Sequence, residues 1–282
     1  MLTAASPSQR ERVLATLDKL PPFSPILQRV VASLADDDVS MGELAGLIEK
    51  DIALAGNILR VVNSPIYGCR ATINSVRHGV AIVGLTKIRN LVLSLSMSRR
   101  WSASRVPAGW SGRTFNLHSV GVAVLSDLVA LEQPVPYPEG AFVAGLLHDV
   151  GKLLMAIAAP DDFPKVAELI AAGRTYEEAE AEVFGVSHSE ISGAVLEKWN
   201  LPEPIRRAVT YHHAPRSADE GRLHLAHLVQ AADRWLNGMG LEVMPAAPAT
   251  SDRPPDEFGL FAHIERIAET FKEEFEPMRL LL

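Results

Sequence analysis

Apolar residues recur at helical spacing along most of the chain. Between positions 40 and 50, Leu44, Leu47 and Ile48 fall on one helical face. The next segment repeats this pattern and stops before Pro65, because proline disfavours helical geometry in the residue that precedes it. The same periodicity predicts further helices over 74–83, 85–98, 114–131, 139–149, 188–199 and 258–276. Alternating strand patterns bounded by hairpin turns are missing from the sequence, so it predicts an all-α fold.

Two segments interrupt the helical pattern. Residues 102–113, SASRVPAGWSGR, concentrate serine, glycine and proline, which is typical of a loop and predicts a boundary between two helical lobes. Residues 240–257 are crowded with proline and small polar side chains, which predicts a second loop before the last helix. We therefore expect a first lobe, a connecting loop, a second lobe and a tail, which span 1–101, 102–113, 114–238 and 239–282.

Composition narrows the classes of protein to consider. With 282 residues, 48% of them hydrophobic, the chain has enough apolar side chains for a substantial core. Its 34 acidic and 27 basic residues give a net charge of −7, which argues against direct nucleic-acid binding. No stretch reaches the roughly 18 consecutive apolar residues of a membrane span. Cys69 is the only cysteine, so we expect a cytoplasmic protein in which histidine and carboxylate hold any metal.

Histidine and aspartate side chains gather on the inner faces and at the ends of the predicted helices. His118 shares a face with Val122, so its imidazole points toward the apolar interior, where it needs a partner. His188 follows Ser187, whose spacing to Glu190 matches a capping box and predicts the start of a helix. The candidate metal ligands are His118, His148, Asp149, His188, His212, His213 and Asp233.

Each of these side chains also has an ordinary structural explanation. A buried histidine is more often hydrogen-bonded to a carbonyl group, and a buried aspartate more often paired with an arginine, than bound to a metal. Neutral imidazoles and carboxylates suit iron, manganese, zinc or nickel, and the geometry of the site chooses among these ions. The residues alone are compatible with one or two divalent metal ions without requiring them.

The order of these residues resembles the HD superfamily, whose metal site contains a leading His, a His-Asp pair and a trailing Asp on helices. Here these positions are His118, His148, Asp149 and Asp233. The segments LPPFSPILQRVVASL and DIALAGNILRVVNSPIYG are similar to the HD-related output domain (HDOD) family, and FVAGLLHDVGKLL and YHHAP continue the similarity. The resemblance covers roughly residues 12–236. It implies an all-α, two-lobe fold and a role in bacterial signal transduction.

The chain also resembles the HD-GYP branch of cyclic-dinucleotide phosphodiesterases, in the run HDVGK and in its later histidines. This resemblance implies that Asp149 bridges two ions and that Lys152 contacts a substrate phosphate. One ion would be held by His118, His148 and Asp233, and the other by His188, His212 and His213. The Gly-Tyr-Pro signature of that branch is absent from the chain, because Ala214 and Pro215 follow the paired histidines.

Two functions follow from these resemblances. Most HDOD members are thought to be non-catalytic because they have lost metal ligands, whereas this sequence retains them. The first expectation is a regulatory module that binds other signalling proteins and holds one or two divalent metal ions. The alternative is a metal-dependent phosphohydrolase or phosphodiesterase acting on a nucleotide or cyclic dinucleotide, with Lys152 in its catalytic site. A third hypothesis is a receptor that binds a nucleotide without turnover.

Overall fold

A computed structural model describes residues 8–34, 41–67, 72–100, 106–217, 221–243, 256, 258–280 and 282. No β-strand occurs among these residues, and the predicted all-α fold is confirmed. The α-helices are α1 (Gln9–Asp18), α2 (Pro25–Ala32), α3 (Met41–Glu49), α4 (Ile52–Val62), α5 (Val76–Val83), α6 (Leu85–Arg100), α7 (Gly112–Glu132), α8 (Ala141–Leu147), α9 (Val150–Ala158), α10 (Phe163–Ala171), α11 (Tyr176–Phe184), α12 (His188–Lys198), α13 (Glu203–Thr210), α14 (Leu225–Gly238) and α15 (Leu260–Arg279).

The predicted helices begin and end within a few residues of the observed ones. Ser187 accepts a hydrogen bond from the backbone N–H of Glu190, whose carboxylate accepts one in return, so the predicted capping box opens α12. Helix α7 begins earlier than expected, at Gly112, because the side chain of Ser111 caps its first turn. The end of the predicted loop 102–113 therefore belongs to this helix.

Helices α2 to α6 fall within the predicted first lobe. Helix α3 packs against α5, and α4 packs against both α5 and α6. Leu44, Ile48 and Ile58 are almost completely buried between them. Helix α6 then contacts α7 and α8, so it joins this lobe to the second one. The Ser40 to Glu43 spacing matches a capping box for α3, but Ser40 lies outside the described residues.

Helix α1 lies against the second lobe, although the sequence places it within the predicted first lobe 1–101. It contacts α9, α11 and α12. Arg12 forms an ion pair with Asp162 at 2.6 Å, and the ammonium group of Lys198 donates to the carbonyl oxygen of Leu17. Helix α1 and the residues just after it therefore support α12, the helix that begins with His188. The division of the chain into two lobes stays a prediction.

Helix α7 is the central element of the second lobe, with α8, α14 and α15 packed around it. Gly145 of α8 lies so close to α7 that a Cβ atom there would be 2.7 Å from the Cα atom of Ala123. A Cβ atom on Gly121 would be 2.8 Å from the side chain of Leu236 in α14. Glycine at these crossings therefore lets the helices that carry the candidate ligands approach one another.

Two apolar stretches, Gly112–Glu132 and Pro138–Ala158, have the length and hydropathy of a membrane span. In the structure, 67% and 89% of the most apolar 18-residue window in the two stretches is buried inside the protein. Such burial is typical of core helices, because a helix that faced lipid would keep its apolar side chains on the outside. The hydropathy of both stretches is therefore explained by their place in the core.

Candidate metal centre

The His148-Asp149 pair lies in a turn between two helices. Helix α8 ends immediately before the pair and α9 begins immediately after it, so both side chains leave the helix direction and point into the second lobe. Gly151 follows in the first turn of α9, where a Cβ atom would collide with the backbone carbonyl group of His188. This contact between α9 and α12 places His188 beside Asp149.

The structure brings all seven candidate ligands together in two groups. The first group contains His118, His148 and Asp233, and the second group contains Asp149, His188, His212 and His213. Within each group, one possible ligand atom per residue lies within 4.8 Å of all the others. All of these side chains are buried except that of His213, which is half-buried. The groups match the two sets of ligands that the HD-GYP resemblance implies.

Asp149 lies between the two groups. Its Oδ2 atom is 3.4 Å from Nε2 of His148 and 3.7 Å from Nε2 of His118. Its Oδ1 atom is 3.3 Å from Nε2 of His188 and 3.8 Å from Nε2 of His212. This Oδ1 atom is buried and makes no hydrogen bond with any described residue. A carboxylate that presents one oxygen to each group, with one acceptor unsatisfied, has the arrangement of a bridge between two cations.

In three of the imidazoles, the outer ring nitrogen is held by a backbone carbonyl group. The Nδ1 atoms of His118, His148 and His212 lie 2.8, 2.8 and 2.7 Å from the carbonyl oxygens of Leu241, Gly145 and Val209. A carbonyl oxygen can only accept a hydrogen bond, so Nδ1 carries the proton in these rings. Such outer hydrogen bonds fix the tautomer and the orientation of histidines that bind metals.

The inner ring nitrogens of His118, His148 and His212 are therefore acceptors. Nε2 of His118 is 3.3 Å from Nε2 of His148, and Nε2 of His188 is 3.4 Å from Nε2 of His212. Nε2 of His213 is 2.9 Å from that of His188. Two lone pairs 3.3 Å apart, as in His118 and His148, repel each other unless a cation, either a proton or a metal ion, lies beside them. The donor set and its geometry fit divalent metal ions.

Burial keeps the second group of imidazoles neutral. It is the main cause that lowers the pKa of His212 and that takes the pKa of both His188 and His213 to about 3. In the first group, burial alone would lower the pKa of His148, but the neighbouring carboxylates, Asp149 foremost, raise it. At neutral pH the second group thus offers three neutral imidazoles, which can bind a metal ion without first releasing a proton.

A carboxylate that the sequence-based prediction missed supports the second group. Glu180 of α11 is fully buried, and its Oε2 atom lies 2.6 Å from Nδ1 of His188 and accepts the backbone N–H of the same residue at 2.8 Å. Burial raises the pKa of Glu180 to about 8. Tyr176 and Phe184 lie one helical turn away on either side of it. A glutamate within an apolar stripe is the signal by which the sequence could have revealed it.

A cavity of about 370 Å³ adjoins the second group. His213 belongs to both, because its imidazole contacts His188 and also lines the cavity. The other walls come from the turn after His213, from α14 and from the start of α15. A molecule in this cavity would lie directly beside the second group.

Lys152 lies against the shared carboxylate instead of lining this cavity. Its Nζ atom donates to Oδ2 of Asp149 at 2.7 Å and lies 4.4 Å from the centre of the Tyr176 ring. Burial disfavours its charge, but Asp149 raises the pKa of the ammonium group above its usual value. Lys152 therefore holds Asp149 in position, and its contact with a substrate phosphate stays a prediction.

Comparison with known proteins agrees with the motifs in the chain. A solved structure of an HDOD domain protein of unknown function from Geobacter sulfurreducens has a TM-score of 0.78, with 24% identity over 96% of this chain and 98% of that one. A candidate phosphohydrolase from Shewanella amazonensis SB2B has a TM-score of 0.68, with 18% identity over 95% and 98% of the two chains. At these levels of identity, both similarities are evidence about the fold alone.

An uncharacterised protein from Treponema pallidum (strain Nichols) is 26% identical over 229 residues, which are 79% of this chain and 44% of that protein. The chain thus spans less than half the length of the curated relative that it matches. The family model described as the HDOD domain matches residues 20–215, more than half of the chain. The resemblance seen in the sequence is therefore confirmed, and this chain belongs to the HDOD domain family.

Proposed function

We propose that this HDOD protein is a bacterial signal-transduction module whose second lobe holds two divalent metal ions bridged by Asp149. The observation that carries the proposal is the set of facing Nε2 atoms, at 3.3 Å in the first group and 3.4 Å in the second. Two cations would satisfy these lone pairs together with the buried Oδ1 atom of Asp149. Iron, manganese, zinc and nickel all suit a site of imidazoles and carboxylates.

In this proposal the ions stabilise the second lobe, and the module acts by binding other signalling proteins. Ions that bind the folded state alone stabilise it by mass action. Metal availability would therefore change the fraction of molecules that is folded and able to bind a partner. This role requires no turnover of a substrate, which agrees with the absence of the Gly-Tyr-Pro signature.

Elemental analysis of the purified chain tests the proposal. After loading with manganese, iron(II) or zinc and removal of free metal, we expect about two ions per chain and a higher melting temperature. Asp149→Asn keeps the shape of the side chain but removes the shared charge, so it should hold almost no metal. Asp18→Asn, at an exposed position on α1, is the matched control and should load like the wild type. A folded wild-type chain that retains no metal would overturn the proposal.

A second candidate function is a metal-dependent phosphohydrolase. The observation that favours it is the half-buried position of His213 between the second group and the cavity, which gives a small molecule a place beside the ligands. Two bound ions would supply an activated water and neutralise charge that develops on a phosphoryl group. The chain's own residues would position this chemistry, since Lys152 and Glu180 hold Asp149 and His188 in place.

A hydrolysis assay separates the two functions. Manganese- or iron-loaded protein is incubated with bis(p-nitrophenyl) phosphate, with a mononucleotide and with a cyclic dinucleotide. The phosphohydrolase predicts turnover in the wild type and in Asp18→Asn, and none in Asp149→Asn. If fully loaded protein hydrolyses none of these probes, the phosphohydrolase is contradicted and the binding module stands.

A further inference from the structure

The cavity beside His213 has the size of a site for one small molecule. Its volume of about 370 Å³ lies near the lower end of the roughly 300–1,000 Å³ that ligand sites occupy. A mononucleotide, with one base, one sugar and one phosphate, suits this end of the range. A cyclic dinucleotide has twice these parts and would need correspondingly more room.

The charged side chains of the cavity favour an anion. Arg216 and Arg234 both line it. Arg234 is half-buried and makes no hydrogen bond or ion pair with another described residue. A partly desolvated guanidinium is well suited to a phosphoryl group, which it can bind through two parallel hydrogen bonds.

Among the described residues of the cavity wall, Asp256 is the one with a carboxylate, and backbone N–H groups bind this carboxylate. It accepts the backbone N–H groups of Leu260 and Phe261 at 2.7 and 2.9 Å, at the beginning of α15. This is a favourable place for a negative charge, because the N-terminus of a helix carries a partial positive charge. Asp256 therefore stabilises α15, and Arg234 offers its positive charge to a ligand in the cavity.

Aromatic side chains form another part of the wall. Phe258 and Phe261 both line the cavity, and the ring of Phe258 packs edge-on against His227 with 4.8 Å between ring centres. Such surfaces bind flat or apolar groups, including nucleobases, which stack on aromatic side chains. The cavity thus combines cationic groups with an aromatic surface.

We infer that this cavity binds a phosphomonoester of mononucleotide size, with its phosphoryl group at Arg216 and Arg234 and its base against Phe258 and Phe261. The inference rests on the proposed metal centre only in that His213 would place the ligand beside the second group. Of the two ligand classes considered for the phosphohydrolase, nucleotides and cyclic dinucleotides, the inference favours the smaller, a mononucleotide.

Calorimetric titration of metal-loaded protein tests the inference, with AMP, GMP, adenosine and cyclic di-GMP as probes. We expect a mononucleotide to bind at least tenfold more tightly than adenosine, which lacks the phosphate, and more tightly than cyclic di-GMP. Arg234→Gln should weaken mononucleotide binding about tenfold or more and leave adenosine binding unchanged. Arg216→Gln is a second, exposed variant that should act in the same direction without disturbing the fold.

Arg207→Gln, at an exposed position of α13 outside the cavity, is the matched control and should bind AMP like the wild type. Equal affinity for AMP and adenosine, tighter binding of cyclic di-GMP, or unchanged AMP binding in both cavity variants would overturn the inference. Metal content is measured on the same samples. If the chain holds metal but does not bind AMP, only this inference is contradicted. If the chain holds no metal and its AMP binding depends on Arg234, only the metal centre is contradicted.

Discussion

The first and second groups of the metal centre share Asp149 but differ in their surroundings. The first group is closed, since all its side chains are buried, and it contains a carboxylate of its own in Asp233. The second group contains three imidazoles beside the shared carboxylate, and His213 opens onto the cavity. This difference indicates that the first group would hold an ion by charge and enclosure, whereas the second is the one that a ligand could reach.

The variant with the largest expected effect on this comparison between the two groups is Gly151→Ala. The new Cβ atom would collide with the carbonyl group of His188, so α9 and α12 must separate. We expect the free energy of unfolding to fall by about 2–3 kcal/mol, the usual range for overpacking a core. Because His188 then moves away from Asp149, the second group should lose its ion while the first retains one. Denaturant unfolding and elemental analysis measure both effects.

Gly46→Ala is the matched control for this variant. Apart from the backbone of α3 itself, no atom of the described residues lies within 4 Å of a Cβ placed on Gly46, which is inside α3. Alanine there should leave metal binding unchanged and raise the free energy of unfolding by up to about 1 kcal/mol, because alanine favours a helix. If Gly151→Ala is as stable as the wild type and keeps both ions, the contact between α9 and α12 does not position His188.

An intermediate effect is expected for Glu180→Gln, because Glu180 supports only the second group. Replacing the carboxyl oxygen that contacts the backbone N–H and Nδ1 of His188 by an amide should weaken the second ion by about 10–100-fold and leave the first unchanged. Competition with a chelator measures the two affinities separately. Glu182→Gln, at an exposed position on the same helix, should have no effect. Equal weakening of both ions would show that the two groups do not act independently.

A half-buried carboxyl outside the centre, that of Asp127, gives the smallest effect. Although burial opposes it, His148 and Lys152 hold the pKa of Asp149 well below the usual range, and His118 and His148 do the same for Asp233. Asp127 in α7 lacks such neighbours, and burial raises its pKa to about 6, against the opposing hydrogen bond from Asn90 at 3.1 Å. The folded state therefore binds the proton of Asp127 more tightly than the unfolded state, whose pKa is about 3.9.

The sign of the pH dependence follows from this difference. The contribution of Asp127 to stability is greatest below pH 4 and is lost as the pH rises through 6. Asp127→Asn, which stays neutral, should raise the free energy of unfolding at pH 7 by about 1–2 kcal/mol, and the gain should vanish near pH 4. Urea unfolding between pH 4 and 8 measures it. A gain that is the same at every pH would mean that the ionisation of Asp127 is not the cause.

Features that depend on neighbouring residues were predictable from the sequence. The capping box at Ser187 marks the start of α12, where the sequence predicts it. Motif order then assigned the seven candidate ligands to the two sets that the structure brings together. These predictions depend on local hydrogen bonds and on a resemblance, and neither requires knowledge of how helices cross.

Features that depend on contacts between distant segments were not predictable in this way. The need for glycine at position 151 appears only when α9 meets α12, and the carbonyl group of Leu241 is chemically the same as any other in the chain. Arg234 and Phe258 share a cavity only because α15 returns to α14. Periodicity identifies which face of a helix is apolar, but it does not identify which helix covers that face.

The hydrogen bond between His118 and the carbonyl group of Leu241 also bears on the order of folding. The two residues are 123 positions apart in the sequence. Contacts of such high sequence separation form slowly, because a long loop must close before they contribute. The imidazole of His118 therefore takes its final orientation only after synthesis has passed α14, and the completed centre reports that the whole second lobe has folded.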